Sequence, residues 1–175
     1  MREIDKLKFP IGNWIKQETY SQDEIDRNIQ VIIDVPRTLE SITASITESE
    51  ENLTYRDGGW TVKEVVNHLV DSHMNSYIRF KFAATESTPT IKSYDENMWA
   101  LTNDYKAISV QDSVLTLRLI HDRMVALFDT WNATDWSRDF IHPERTETLT
   151  VGHNLSLYAW HSQHHLAHIK IALNR

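Results

Sequence analysis

The chain has few places to turn, with only four glycines and four prolines in 175 residues. A many-stranded β fold needs turn residues at short, regular spacing. A chain this poor in them is suited to few, long elements, and four segments read as helices. The first opens on a capping box, Ser21-Gln-Asp-Glu24, whose end side chains can satisfy each other's free backbone donors. Ile25, Ile29, Ile32 and Leu39 follow at helical spacing, with Pro36 inside the pattern, where a kink or break is expected. The second follows a Gly58-Gly59 turn, opens on the box Thr61-Val-Lys-Glu64 and runs to about Thr85. The third spans roughly Val110 to Trp131, with Val114, Leu117, Ile120, Met124 and Phe128 on one stripe. The fourth spans roughly Gly152 to Leu173.

The connections are longer than simple hairpins allow. Residues 1–20 read as an irregular N-terminal arm anchored by Leu7, Phe9, Ile11 and Trp14. An irregular segment starts at Ser93, and Arg138 to Val151 carries β-branched residues around Pro143-Glu144, the pattern of a small β hairpin. The expectation is an all-α protein: one domain over residues 1–175, a four-helix bundle with a crossover and a hairpin before the last helix.

Composition removes several function classes. A net charge of −7 argues against a general nucleic-acid binder, which needs a basic face to neutralise phosphates. With no cysteine, there can be no disulfide, thiolate zinc site or thiol nucleophile in the chain. No stretch approaches the roughly 18 apolar residues of a spanning helix, and the charged start MREIDKLKFPIG lacks an apolar signal core. A cytoplasmic location without membrane contact is expected.

Histidine is the abundant exception. Nine occur, and four of these fall within eight positions, His161-Ser-Gln-His164-His165-Leu-Ala-His168. On a helix, His161 and His165 stand one turn apart on one face, where both imidazoles can reach a single ion. His164 and His168 have the same spacing, so spacing leaves both pairs open. The alternative is a hydrogen-bonded or surface polar cluster, although burying several unpartnered imidazoles would cost roughly 1–3 kcal/mol each. On the second helix, His68, Ser72, Asn75 and Arg79 form a polar ridge. The outer face of a bundle would more often carry Lys and Glu there. Arg79 suits either an anionic substrate group held bidentately or an internal salt bridge.

Three segments carry a wider likeness: YRDGGWT from Tyr55, HLVDSHMNSYIRFK from His68 and YAWHSQHHLAH from Tyr158. With FPIG near the start, YDE at Tyr94–Glu96 and HPE at His142–Glu144, they resemble the YfiT branch of the DinB/YfiT-like metalloenzymes over nearly the whole chain. The resemblance implies up-down-down-up topology, a homodimer and a metal-dependent hydrolase. It places one divalent ion on His68, His161 and His165. Zinc is the expected ion, with nickel or another divalent ion as the alternative. His164 and His168 match no ligand position and are expected beside the site, while His73 and His142 are candidates to line the cavity.

Three imidazoles leave a coordination position open, as a catalytic ion requires. Hydrolysis of a small-molecule substrate also needs a general base, for which Asp71, Asp95 and Glu96 are the candidates. No His-Glu-x-x-His motif supplies one on a ligand helix. Arg79, Asn75 and Tyr94 are the expected substrate-binding residues. Related bundles include thiol-dependent enzymes, so the alternative is an S-transferase joining a low-molecular-weight thiol, such as bacillithiol, to electrophiles. A third reading is a non-catalytic metal or small-ligand binding protein.

Overall fold

Residues 3–144 and 148–175 are described by a computed structural model. Four long helices carry the structure: α2 (Gln22–Thr43), α4 (Val62–Thr85), α7 (Val110–Phe128) and α9 (Val151–Leu173). Short helices α1 (Glu3–Lys8), α3 (Glu48–Glu51), α5 (Glu96–Trp99), α6 (Asp104–Ala107) and α8 (Ala133–Trp136) punctuate the connections. Strands β1 (Asp139–Ile141) and β2 (Thr148–Thr150) form an antiparallel hairpin ahead of α9, with Phe140 opposite Leu149 and both buried. None of the described helices is long and apolar enough to cross a membrane.

The helix starts follow their caps. Ser21 N–H donates to Glu24 Oε2 at 2.8 Å, and Thr61 N–H donates to Glu64 Oε2 at 2.8 Å. In α9 a histidine takes the glutamate's place: Thr150 N–H donates to His153 Nδ1 at 2.9 Å, and His153 N–H donates back to Thr150 Oγ1 at 3.2 Å. The expected end of the third helix moves back from Trp131 to Phe128. Trp131 instead turns into an aromatic cluster, its ring 5.1 Å from Phe128 and 4.9 Å from Trp136.

Pro36 does not break α2, contrary to the expectation from sequence. A proline at this position removes the N–H that would bond the Ile32 carbonyl one turn back. His121 Nδ1, from α7, donates to that carbonyl at 2.6 Å instead. The helix continues because its neighbour fills the gap.

Pairings between helices give the topology. α4 runs parallel to α7, since Asn67 meets Ser113 at one end and Phe80 meets Phe128 at the other. The ends of α2 and α9 likewise agree: Tyr20, just before α2, lies against His153, and the Ile42 carbonyl accepts from Arg175. α4 and α9 are antiparallel, as are α2 and α7. The order is up-down-down-up, and residues 86–109 form the crossover between the parallel pair α4 and α7.

Two apolar clusters fill the interior. One gathers Ile25, Ile32, Phe80, Met124, Phe128 and Leu155; the other gathers Leu39, Val66, Leu69, Val114, Leu117 and Ile169. Between these levels the helices turn polar, with Ser72, His73, Ser76, His121, Ser162 and His165 buried. The histidine site belongs to this middle layer.

The N-terminal arm differs from the expectation. It begins with the α1 turn of helix, and of its four apolar anchors Leu7 and Trp14 are half-buried while Phe9 and Ile11 are exposed, at 45% and 44%. Polar bonds along α9 hold it instead. His168 Nε2 donates to Lys8 O at 3.3 Å, Trp160 Nε1 to Gly12 O at 3.2 Å and His153 Nε2 to Gln17 O at 2.8 Å. Trp14 Nε1 also donates to Ser156 Oγ at 3.2 Å. Carbonyls freed by irregular backbone find partners on the helix, so hydrogen bonds rather than apolar burial position the arm.

Candidate metal centre

His68 on α4 and His161 on α9 approach with their Nε2 atoms 3.1 Å apart. With His165 one turn along α9, ring nitrogens of all three lie within 4.8 Å of one another. Tetrahedral coordination with zinc–nitrogen bonds of 2.0–2.1 Å would set neighbouring nitrogens about 3.3 Å apart. His68 Nδ1 and His161 Nδ1 are buried and have no hydrogen-bond partner. His68 and His161 therefore face each other through Nε2, at a separation an ion between them could also bridge.

Burial keeps the rings neutral. It lowers His68 to about 4 and His161 and His165 well below the usual histidine value, and repulsion among the clustered imidazoles adds to the effect. Neutral imidazoles offer lone pairs, the form a divalent ion requires. Trp60, from the turn before α4, covers His68 with ring centroids 4.7 Å apart.

A second set, His164, His165 and His168, meets the same distance limit. It comes from one helix alone. His168 is occupied by the Lys8 carbonyl, by His165 Nδ1 at 3.3 Å and by the ring of Tyr55 stacked at 3.9 Å. His164 stacks on Trp160 at 4.6 Å.

The first set opens on a cavity of about 390 Å³. Arg79, Tyr94 and Glu96 line it as the sequence suggested, and Ser72 and His142 join them. Arg79 is only 8% exposed; its Nη1 donates to the Tyr158 hydroxyl at 3.0 Å, while Nε is buried without a partner. Among the described residues no carboxylate pairs with it, so the internal salt bridge is not formed. Tyr94 packs on Trp99 at 4.4 Å, and burial pushes its phenol above the usual tyrosine range.

Other expected residues lie elsewhere. Asp71 is off the cavity wall and accepts from the Tyr105 hydroxyl at 2.8 Å, with burial raising its pKa. Asn75 shares the ridge of α4, but its amide donates back to the Asp71 carbonyl at 2.8 Å and does not line the cavity. Asp95 is spent capping α5, accepting from Asn97 N and Met98 N at 3.0 Å. His73 is fully buried and bonds to His121 rather than lining the cavity. Glu144, Trp60 and Trp160 line the wall with no role foreseen for them, although the HPE and GGW strings contain the first two.

Comparison with known proteins points to one family and one fold. The DinB superfamily pattern matches residues 32–169. YfiT of Bacillus subtilis, provisionally named a metal-dependent hydrolase, is 45% identical over 163 residues, covering 93% of this chain and 92% of that protein. A similarly named protein of Oceanobacillus iheyensis is 41% identical over 162 residues, covering 93% of each chain. The solved structure of the Bacillus subtilis protein, described as a probable metal-dependent hydrolase with an unusual four-helix bundle topology, matches with a TM-score of 0.92. That match has 43% sequence identity and covers 97% of both chains.

Proposed function

Because the chain belongs to the DinB superfamily, we propose that it is a metal-dependent hydrolase holding one divalent ion, zinc or nickel, on His68, His161 and His165. The observation that carries this reading is the convergence of three neutral imidazoles, two buried and one half-buried, on the wall of a cavity, with the Nε2 atoms of His68 and His161 3.1 Å apart. Bound there, the ion supplies an acidified water and polarises a carbonyl. Glu96 and Glu144 reach the same cavity, and either carboxylate serves as the base that takes up the proton. Arg79, buried and without a carboxylate partner among the described residues, binds an anionic group of the substrate. Trp60 and Trp160 on the wall limit access of bulk water. A cytoplasmic homodimer is part of the proposal; Met74, Ile78 and Phe82, exposed one turn apart on α4, offer apolar surface for it.

One observation favours a second reading. No carboxylate is hydrogen-bonded to any of the three histidines among the described residues, so Glu96 and Glu144 share the cavity without being tied to the ligand set. Transfer of a low-molecular-weight thiol to an electrophile makes less demand on a protein base: an ion on these histidines would lower the thiol's pKa so that its proton passes to solvent, and Arg79 would hold an acidic group of the thiol.

The test incubates metal-loaded and metal-free protein with an ester and amide panel, and separately with bacillithiol plus an electrophile, following products by mass spectrometry. Metal-dependent hydrolysis is expected, and Arg79→Gln should raise KM for acidic substrates by roughly 10–100-fold while sparing neutral ones. Metal-dependent conjugation without hydrolysis would put the S-transferase in its place. Loaded protein inert in both assays would leave a binding protein.

A further inference from the structure

The proposal rests on the three-histidine reading and concerns how one ligand is prepared. Of the three, His165 is the one whose Nδ1 has a hydrogen-bond partner, since the Nδ1 atoms of His68 and His161 have none. That partner is His168 Nδ1 at 3.3 Å, and the other nitrogen of His168 lies 3.3 Å from the Lys8 carbonyl. A neutral imidazole carries one N–H and one lone pair, so each ring donates at one nitrogen and accepts at the other.

The direction of this chain is forced. A carbonyl only accepts, so the proton of His168 sits on Nε2 and its Nδ1 carries a lone pair. The contact between the two Nδ1 atoms then requires the proton of His165 to sit on its own Nδ1. His165 Nε2 is left with the lone pair. We propose that the N-terminal arm, through the Lys8 carbonyl and His168, fixes His165 in the tautomer whose Nε2 can ligate the ion. His168 is a positioning residue. Tyr55, stacked on it at 3.9 Å, holds the ring at the angle the relay needs.

Two consequences follow. With Nε2 donating to Lys8 and Nδ1 accepting from His165, His168 has no lone pair left for metal, so the His164–His165–His168 set is no second ion site. The arm also becomes part of the metal centre, through a backbone carbonyl. Metal-binding histidines commonly need an acceptor at the second nitrogen, and losing one typically costs 10–100-fold in affinity.

The test measures zinc affinity by chelator competition for the full chain, for His168→Phe and for His168→Asn. Phenylalanine keeps a ring on Tyr55 but cannot accept, whereas the asparagine Oδ1 stands near the place of the histidine Nδ1. The expected result is about 10–100-fold weaker binding for His168→Phe and recovery to within about five-fold for His168→Asn. Imidazole ¹⁵N spectra of the unmodified, metal-free protein should place the His165 proton on Nδ1. This readout does not depend on any variant folding. A proton on His165 Nε2, or equal affinities for His168→Phe and the parent, would overturn the relay while leaving the three-histidine site standing. No zinc binding by the parent would overturn the site itself, and the relay with it.

Discussion

His73 and His121 lie deeper than the histidines on the cavity, and burial lowers the pKa of both groups, His121 to about 4. Their nitrogens, however, are accounted for within the protein. His121 Nδ1 donates to Ile32 O, its Nε2 lies 2.8 Å from His73 Nδ1, and His73 Nε2 faces Ser162 Oγ at 3.4 Å. Across the same polar layer, His68 and His161 point their Nε2 atoms at each other and leave both Nδ1 atoms empty. Residue type and burial do not separate the two groups; the fate of each ring nitrogen does. One pair replaces a hydrogen bond the backbone lost, whereas in the proposed site the other group would turn its lone pairs to an ion.

The largest expected effect would break this comparison if it fell on the wrong group. His161→Ala or His165→Ala should lower zinc affinity by about a thousand-fold or more, leaving little metal on purified, folded protein. His121→Leu should retain about one ion per chain. Metal analysis of the variants, with circular dichroism as a check on folding, decides it. An empty His121→Leu beside a loaded His165→Ala would reverse the assignment.

Acid should expose what the two groups share. For metal-free protein the unfolded chain binds a proton at His121 below about pH 6.5, while the folded protein resists until about pH 4. The unfolded state therefore holds more protons between those values. Stability is fully present above pH 6.5, falls as the pH is lowered and levels off below about 4. His121 alone contributes about 3 kcal/mol of this loss. Urea titrations at pH 7, 5.5 and 4 should show the midpoint falling at each step, and a flat profile would contradict the buried, neutral assignment.

The smallest effect is the most specific. His121→Leu leaves the Ile32 carbonyl without its partner, at a cost of about 2–3 kcal/mol in urea unfolding. In a Pro36→Ala background the new N–H can take that carbonyl, and the cost should fall by about 1 kcal/mol. A double-mutant cycle with no coupling would mean that His121 does not replace the missing bond.

What could be read in the sequence follows from range. The boxes at Ser21 and Thr61 and the hydrophobic stripes are local, and α2, α4 and α9 start where those signals place them. Thr47-Glu-Ser-Glu50 and Asn132-Ala-Thr-Asp135 carry the same local signal, and attention to them would have found α3 and α8. The union of Pro36 with His121 was not legible, because it joins two helices through a carbonyl that no residue letter records. Asn75 illustrates the converse: helical angle places it beside Arg79, but its amide turns to a carbonyl of its own helix. For the candidate ligands, spacing gave a choice of pairs, the family likeness selected one, and only the packing of α4 against α9 puts His68 beside it.

The parallel pairing of α4 with α7 and of α2 with α9 bears on how quickly the molecule can form. Helices consecutive in the chain do not fold back on each other as antiparallel hairpins, so most interhelical contacts wait for distant segments to meet. His68 reaches His161 across 93 residues, and Ile42 reaches Arg175 across 133. Loop-closure entropy must be met before such contacts stabilise anything, and folding slows as the mean sequence separation of contacts rises. This bundle should therefore fold more slowly than a sequential up-down-up-down bundle of equal length.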